Sequence, residues 1–385
     1  MMSSDYCDAL IAGGGPAGSA VAIALATEGR RVLLLEKSRG AQQHKVCGEF
    51  LSPESLPFLR RIGIDPEKLG AQMIHSVRLA AREILAEAAL PAAAMSLTRP
   101  KLDEALLRCA QRAGASVLRG YQVESLTRGK DNDVWRARAT SGGTHAETLV
   151  EGRDAFLATG KHDLRGWPRT ARGVQGGLVA MKMYFVLTPE QQQEIAGNVE
   201  LILFPGGYTG LQPVEDGRAN LCALITRERL RWLGGKWDSL LDHMQHCSPH
   251  LARRLSGATP VLEYPLALSA IPYGYCAPVA DDDASPWRLG DQAAVIPSFS
   301  GDGMAIALHT ADRAAELYLE GATATVFHAE VRRDFARRLK LATIISRLVV
   351  AVPSLAQAVR IWPSVLAGIF SATRVPSSGV QAVAP

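Results

Sequence analysis

Much of what this chain could be is excluded by what it lacks. Nowhere in its 385 residues do 18 apolar residues run together, so no transmembrane helix is expected. The opening Met-Met-Ser-Ser-Asp carries no basic stretch ahead of the first apolar run, so no secretory signal is expected. The six cysteines (Cys7, Cys47, Cys109, Cys222, Cys247 and Cys276) contain no C-x-x-C pair. That spacing argues against a disulfide framework or a zinc site and for reduced thiols in a cytoplasmic protein. Charge is nearly balanced, at +4 overall, which gives no footprint for nucleic acid. There is no internal repeat, and the one segment of disorder-like composition is the tail at 376–385. What remains is ordinary for a globular protein: 47% hydrophobic and 21% charged residues, in a chain long enough for two joined domains.

The most informative stretch lies at the start. An apolar run, Ala9 to Ala12, leads into Gly13-Gly14-Gly15-Pro16-Ala17-Gly18 and then into an Ala/Ile/Leu-rich helix. Gly13, Gly15 and Gly18 fit G-x-G-x-x-G. The first permits a tight turn, the second lets backbone approach a pyrophosphate, and the third lets the helix pack closely on the sheet. The helix start then offers free N–H groups and a positive dipole end to phosphates. Glu36 ends the run Arg31-Val32-Leu33-Leu34-Leu35, 18 residues after Gly18. A carboxylate there can accept from ribose hydroxyls and disfavours a 2′-phosphate. The strand–turn–helix–strand–acid context makes this a dinucleotide site rather than a bare tight turn.

Further along, a loop over 38–49 precedes an expected helix at 53–62. Residues 74–98 read as short extended pieces, with a helical alternative at 82–88. A helix is expected at 101–114, where Leu102, Leu106 and Ala110 recur at near-helical spacing. Strands are expected at 117–123, 134–140 and 154–158. From 174 to 275 the pattern changes to extended runs (178–187, 199–204, 220–225 and 261–268) broken by Gly and Pro, with helices at 189–195 and 237–246. That is antiparallel-sheet composition. A strand at 287–289, a helix at 304–320 and a wholly helical stretch at 323–370 follow. The expected architecture is an α/β dinucleotide-binding domain made of 1–73, 95–160 and 285–320. A sheet-rich substrate domain is made of 74–94 and 161–284, followed by a helical region at 321–375 and the tail.

Three separated signals then line up: Gly13–Gly18 with Glu36; Ala158-Thr159-Gly160; and Gly290-Asp291-Gln292-Ala293-Ala294 with Pro297 and Gly301-Asp302-Gly303-Met304. Together they resemble the glutathione-reductase-type FAD fold. More narrowly, they resemble the superfamily of single-component (para-hydroxybenzoate hydroxylase-like) flavin monooxygenases, geranylgeranyl reductases and flavin halogenases. The resemblance implies FAD, with cofactor contacts beyond the glycine turn at Glu36, Lys37, Lys45, Cys47, Gly48, Arg99, Val123, Thr159 and Gly160. Asp291, Pro297, Gly301, Gly303 and Met304 complete the implied set. Asp291 can place a carboxylate on a ribityl hydroxyl, and the helix opening at Gly303 can aim N–H groups at the flavin edge where negative charge develops on reduction.

Lys45-Val46-Cys47-Gly48-Glu49 resembles the K-x-C-G-x segment of the geranylgeranyl reductase branch, and Phe204-Pro205-Gly206-Gly207-Tyr208-Thr209-Gly210-Leu211-Gln212-Pro213 resembles its G-G-Y-x-W-x-x-P motif. Gly210 stands where that motif has tryptophan, which opens room for a different ligand. The halogenase motif W-x-W-x-I-P has only Gly166-Trp167-Pro168 as its nearest counterpart. Cys47, Glu49 and Tyr208 are the catalytic candidates. Each keeps a second reading, as packed thiol, solvated loop charge and sheet-packing ring respectively; for Glu49 the solvated charge is favoured. His243, His246, Cys247 and His250 suggest a metal cluster, but Pro249 breaks the helix before His250, so no metal is expected.

No second fingerprint appears, so NADPH or NADH must visit transiently, or a protein must donate electrons. The expected activity is hydroxylation of a hydrophobic small molecule (polyketide, aromatic or lipid-like) with O2. The alternatives are reduction of a substrate double bond and a non-catalytic carrier on the same fold. The basic, apolar stretch from Arg332 to Ile344 has two readings: a weak membrane-surface contact, or a solvated helix face.

Overall fold

A computed structural model describes residues 6–41, 43–129, 134–169, 174–279, 285–351 and Arg374. The first half contains β1 (Cys7–Ala12), α1 (Pro16–Thr27), β2 (Val32–Glu36), β3 (Phe50–Leu51) and α2 (Ser55–Arg61). It continues with β4 (Gln72–Ala81), β5 (Ile84–Ser96), α3 (Arg99–Arg112), β6 (Ser116–Arg119), β7 (Tyr121–Arg128), β8 (Trp135–Ser141) and β9 (Glu147–Leu157). Next come β10 (Leu178–Val186), α4 (Pro189–Ile195), β11 (Gly197–Phe204), β12 (Gly207–Val214), β13 (Arg218–Thr226), α5 (Arg227–Trp232), α6 (Trp237–Cys247) and α7 (Pro249–Arg254). The chain closes with β14 (Thr259–Pro260), β15 (Leu266–Ser269), β16 (Trp287–Arg288), α8 (Gly303–Leu319) and α9 (Ala324–Ala351).

These elements form a mixed α/β architecture with two sheets. The first has the order β6-β2-β1-β9-β8-β7, with β16 beside β9. Its centre is parallel, and β7, β8 and β9 form an antiparallel arm. β2 is buried at every position, as a parallel strand covered on both faces must be. α1 is so rich in Ala and Gly that ten of its residues are buried, letting α3 and α8 pack close on either side. The second sheet has the order β14-β10-β13-β12-β11-β4-β5-β3, with β15 beside β10, and is antiparallel except where β11 runs along β4. Its outer face packs Met181, Met183 and Phe185 against Trp237, Leu240 and Met244 of α6. Its inner face packs Ala180, Leu203 and Tyr208 with Tyr273 and Val295.

The main expectations that change are local. The segment expected as short pieces with a helical alternative is a long hairpin of β4 and β5, turning at Arg82 with φ 52°. Alternating burial along β5 shows a half-exposed strand that its many alanines disguise. The stretch at 261–268 is not one strand: β14 and β15 pair with opposite ends of β10. β12 is a strand whose Gly and Pro weaken the period-2 signal that marks one in sequence. The expected helix beyond 351 and the tail at 376–385 lie outside the described residues.

Candidate active site

The glycine turn is shaped by backbone approach. Gly13 has φ +106°, and a Cβ there would lie 2.5 Å from the Ala158 carbonyl oxygen. A Cβ on Gly18 would lie 1.9 Å from Gly13 O, so the first turn of α1 packs directly on the preceding loop. Gly15 is different: a Cβ there meets only Arg99 Nη2, at 3.4 Å. The α1 N-terminus has no side-chain cap. Glu36 is buried, and its two oxygens accept the Gly14 N–H (2.8 Å) and the Ser38 N–H (2.9 Å). Its first task is thus to clamp the turn, with the remaining lone pairs left for a ribose. Lys37 is exposed, and Val123 packs partly buried on the β7 arm.

The far side of the cleft supplies the matching parts. Gly160 has φ +63° and open space around its Cβ position; Thr159 donates to His162 O at 2.7 Å. Among the described residues no protein donor reaches the Asp291 carboxylate, whose backbone oxygen instead accepts from Arg169. Pro297 caps a short turn, Gly301 packs on Phe50 with φ +76°, and α8 opens at Gly303 with open space at its Cβ and buried Met304 behind it. An uncapped helix start on each side, an open Gly15 and an uncommitted Asp291 together fit a flavin dinucleotide.

Between these parts runs the segment 44–49, held by the densest polar network in the site. Lys182 Nζ donates to Lys45 O (3.1 Å), Lys161 Nζ to Val46 O (2.9 Å), and Asn220 Nδ2 to Cys47 O (3.0 Å) and Gly48 O (2.8 Å). Four consecutive carbonyls are therefore capped by side chains reaching in from other elements. Glu49 is fully buried at φ 62°, a left-handed conformation uncommon outside glycine. Its Oε1 accepts from Lys182 Nζ (2.7 Å), Tyr184 OH (2.6 Å) and the Arg99 N–H (2.8 Å), and its Oε2 has no partner among the described residues. Burial drives this carboxyl above the ordinary range, against the pull of Lys182 and Tyr184. The favoured sequence reading of Glu49 as a solvated loop charge is therefore wrong.

The neighbouring charges are equally committed. Asp103 takes a two-pronged contact from Arg99 (2.8 and 2.9 Å) and a third from Lys45 (2.8 Å). Burial alone would push its carboxyl up, but Arg99 and Lys45 outweigh it and hold it low. Lys45 is thus a partner of Asp103 rather than a free cofactor cation. Arg99 spans Gly15, Asp103 and the Cys47 thiol. Cys47 Sγ also accepts the Glu49 N–H at 3.3 Å. Tyr208 is buried, its hydroxyl shared with Ser298 Oγ (3.0 Å) and the Phe299 N–H (3.2 Å), and burial pushes its phenol far up. It anchors the turn ahead of α8 and is no free acid, which corrects its place among the catalytic candidates.

Sequence reasoning missed Lys182, Tyr184, Asn220, Lys161 and Asp302. One signal was available: Lys182 is the lone charge in the run Leu178-Val179-Ala180-Met181-Lys182-Met183-Tyr184-Phe185-Val186, and a lysine there must have a buried partner. Register does the rest. Lys182 pairs across with Cys222 and Tyr184 with Asn220, while Cys222 pairs with Gly210 and Leu224 with Tyr208, so all these side chains share the inner face. A Cβ on Gly210 would meet nothing within 4 Å. Asp302 immediately precedes α8 without capping it by its side chain, fully buried against Arg374 (2.9 Å) and pushed up to about 7 by burial. His250 leaves the histidine cluster to bond Glu200 at 2.8 Å. Trp167, of the nearest halogenase-motif counterpart, packs on Trp135 and donates to Leu126 O.

Comparison with known proteins agrees with this geometry. Residues 6–151 match the family model described as FAD binding domain. That match covers most of the first sheet and α1 to α3. The chain is 28% identical to a menaquinone reductase of Mycolicibacterium smegmatis, over 88% of this chain and 85% of that one. It is 29% identical to the flavin-dependent halogenase armH1 of Armillaria mellea, over 78% of this chain but only 62% of the relative's length. Among solved structures, the myxobacterial chondrochloren halogenase CndH superposes with TM-score 0.75 at 20% identity, covering 95% of this chain and 90% of that one. P. aeruginosa PqsL in complex with 2-aminobenzoylacetate superposes with TM-score 0.70 at 19% identity, over 95% of this chain and 100% of that one. The superpositions show that this chain shares the fold of those structures across both sheets.

Proposed function

We propose that this chain is an FAD-dependent monooxygenase that hydroxylates a hydrophobic small molecule held against the inner face of the second sheet. One observation carries the reading: the face that runs from Lys182 past Cys222 is open at Gly210 and lies beside the 44–49 segment that borders the flavin cradle. When bound, the flavin supplies two-electron chemistry, passing reducing equivalents from NADPH or NADH to O2 or to a substrate. The chain's own residues do the rest. The turn at Gly13–Gly18 and the α1 N-terminus hold the diphosphate, Glu36 a ribose and Asp291 the ribityl chain. The N–H groups at Gly303 and Met304 face developing negative charge. Lys182, Asn220 and Lys161 fix the 44–49 backbone, and the Tyr184 and Lys182 donors keep Glu49 oriented with Oε2 uncommitted.

Reduction of a substrate double bond is the second reading. It is favoured by the Cys47 thiol and Glu49 carboxyl on the same short segment, both able to carry a proton, and by the likeness to a protein named for reducing menaquinone. The deciding experiment offers phenolic, polyketide and quinone substrates to the protein with NADPH under 18O2. Label in the product supports hydroxylation. Turnover that persists without oxygen, using chemically reduced flavin, overturns it in favour of reduction. A colourless protein that cannot be reconstituted with FAD points instead to a carrier.

A further inference from the structure

The last helix presents a face that neither the flavin cradle nor the second sheet uses. α9 buries Phe327, Val331, Phe335, Leu339 and Ala342 in the core around the first sheet, and Val350 in the cluster on the inner face of the second. On the opposite side, the positions exposed at helical spacing from 333 to 351 are Arg333, Arg337, Lys340, Leu341, Ile344, Arg347, Leu348 and Ala351. That side contains only cations and aliphatic residues. Leu341, Ile344 and Leu348 keep 39%, 46% and 48% of their surface in water, a cost that a soluble helix face normally avoids.

The charge balance of the chain concentrates on the same region. Lys and Arg number 42 and Asp and Glu 38 over the whole sequence. Residues 335–385 hold six of the cations and no acid, a net of +6, so the preceding 334 residues carry a net of −2. The positive excess of the protein is thus entirely carboxy-terminal. A helix with aliphatic residues flanked by Arg and Lys lies in the plane of a bilayer interface, the apolar side chains entering it while the long basic side chains reach up to headgroup phosphates.

We propose that the exposed face of α9 docks on an anionic lipid bilayer. Two other occupants fit less well. A second copy placed face to face would set Arg337, Lys340 and Arg347 against their own duplicates. A nucleic acid would satisfy the cations but leave the three aliphatic side chains without apolar contact. No helix among the described residues is long and apolar enough to cross a membrane, so the contact is one of lying on the surface. The docking is independent of which reaction the flavin site runs, because vesicle binding is read without turnover.

The test is flotation of the full chain with vesicles of phosphatidylcholine alone or with phosphatidylglycerol added. The expected result is binding only when phosphatidylglycerol is present, weakened by high salt. Each of Arg337→Gln and Lys340→Gln should lower partitioning about fivefold. Ile344→Glu with Leu348→Glu should lower it more than tenfold while leaving the thermal melt and flavin content unchanged. As a check that needs no destabilising change, Ile344→Cys carrying an environment-sensitive fluorophore should shift to the blue on anionic vesicles. Absence of binding, or binding unaffected by all these variants, overturns the proposal. So does a solution mass of two chains that falls to one in the Ile344→Glu variant, or tighter binding to duplex DNA than to the vesicles.

Discussion

The two walls of the flavin cleft are built in opposite ways. The glycine turn, Glu36 and α1 are neighbours in sequence, and their geometry comes from backbone: a positive φ at Gly13, a contact too close for any Cβ at Gly18 and an uncapped helix start. The 44–49 segment is built almost wholly from side chains that arrive from elsewhere. Lys182 reaches Lys45 O from a strand more than a hundred residues away, and Asn220 reaches the Cys47 and Gly48 carbonyls from the next strand. A backbone-made wall tolerates little change at glycine but much elsewhere. A side-chain-made wall is sensitive at each donor, because every lost donor leaves a buried acceptor unpaired.

The largest effect expected from that difference is at Lys182. Lys182→Met leaves Glu49 as a buried carboxylate that has lost its cation, at a cost of about 3–5 kcal/mol in unfolding free energy by urea titration. The double variant Lys182→Met with Glu49→Gln should recover a substantial part of that loss. If the two changes simply add, the pair is not coupled and the contrast between the walls fails. Next, Gly18→Ala forces a methyl onto Gly13 O and should cost about 1–3 kcal/mol. It should also lower flavin retention, read as absorbance of the bound cofactor relative to protein. Asn220→Ala should cost about 1–3 kcal/mol through two orphaned carbonyls while sparing the glycine turn.

How much of this was legible follows the same division. The glycine turn at Gly13 and Gly18, Glu36 clamping it and the helix starting at Gly303 could be placed from sequence because each is set by backbone geometry, and constraints of that kind leave a spacing pattern. Glu49 could not be placed: nothing in Lys45-Val46-Cys47-Gly48-Glu49 tells that the carboxylate turns inward, since its partners Lys182 and Tyr184 are known only once β10 pairs with β13. The same register put Tyr208 under the turn at Ser298 rather than free in the cleft. β12 was invisible for a different reason, as its glycines and proline mask the alternation that marks a strand.

Asp302 gives a pH-resolved version of the contrast. Burial raises its carboxyl to about 7 from the usual 3.8, so between those values the folded chain keeps a proton that the unfolded chain releases. Its contribution to stability is therefore full in acid and is lost as pH rises toward 7. Measured as the difference in melting temperature between the natural protein and Asp302→Asn, that slope should appear only in the former. The smallest effect on stability is expected at Gly210, where a side chain enters open space. Gly210→Trp should change unfolding free energy by less than about 1 kcal/mol while lowering kcat/KM for any substrate lying on the inner face.

The Lys182–Glu49 pair joins β10 to the segment that leads into β3, a strand of the same sheet that lies far away in sequence. Chimeras are constrained by it. Grafting the second sheet onto a different flavoprotein, to import its ligand preference, brings along an ammonium group that the host has nothing to neutralise. A graft that includes residues 44–49 with the strand keeps both partners, so exchange between such proteins should succeed in discontinuous blocks and not as a contiguous insert.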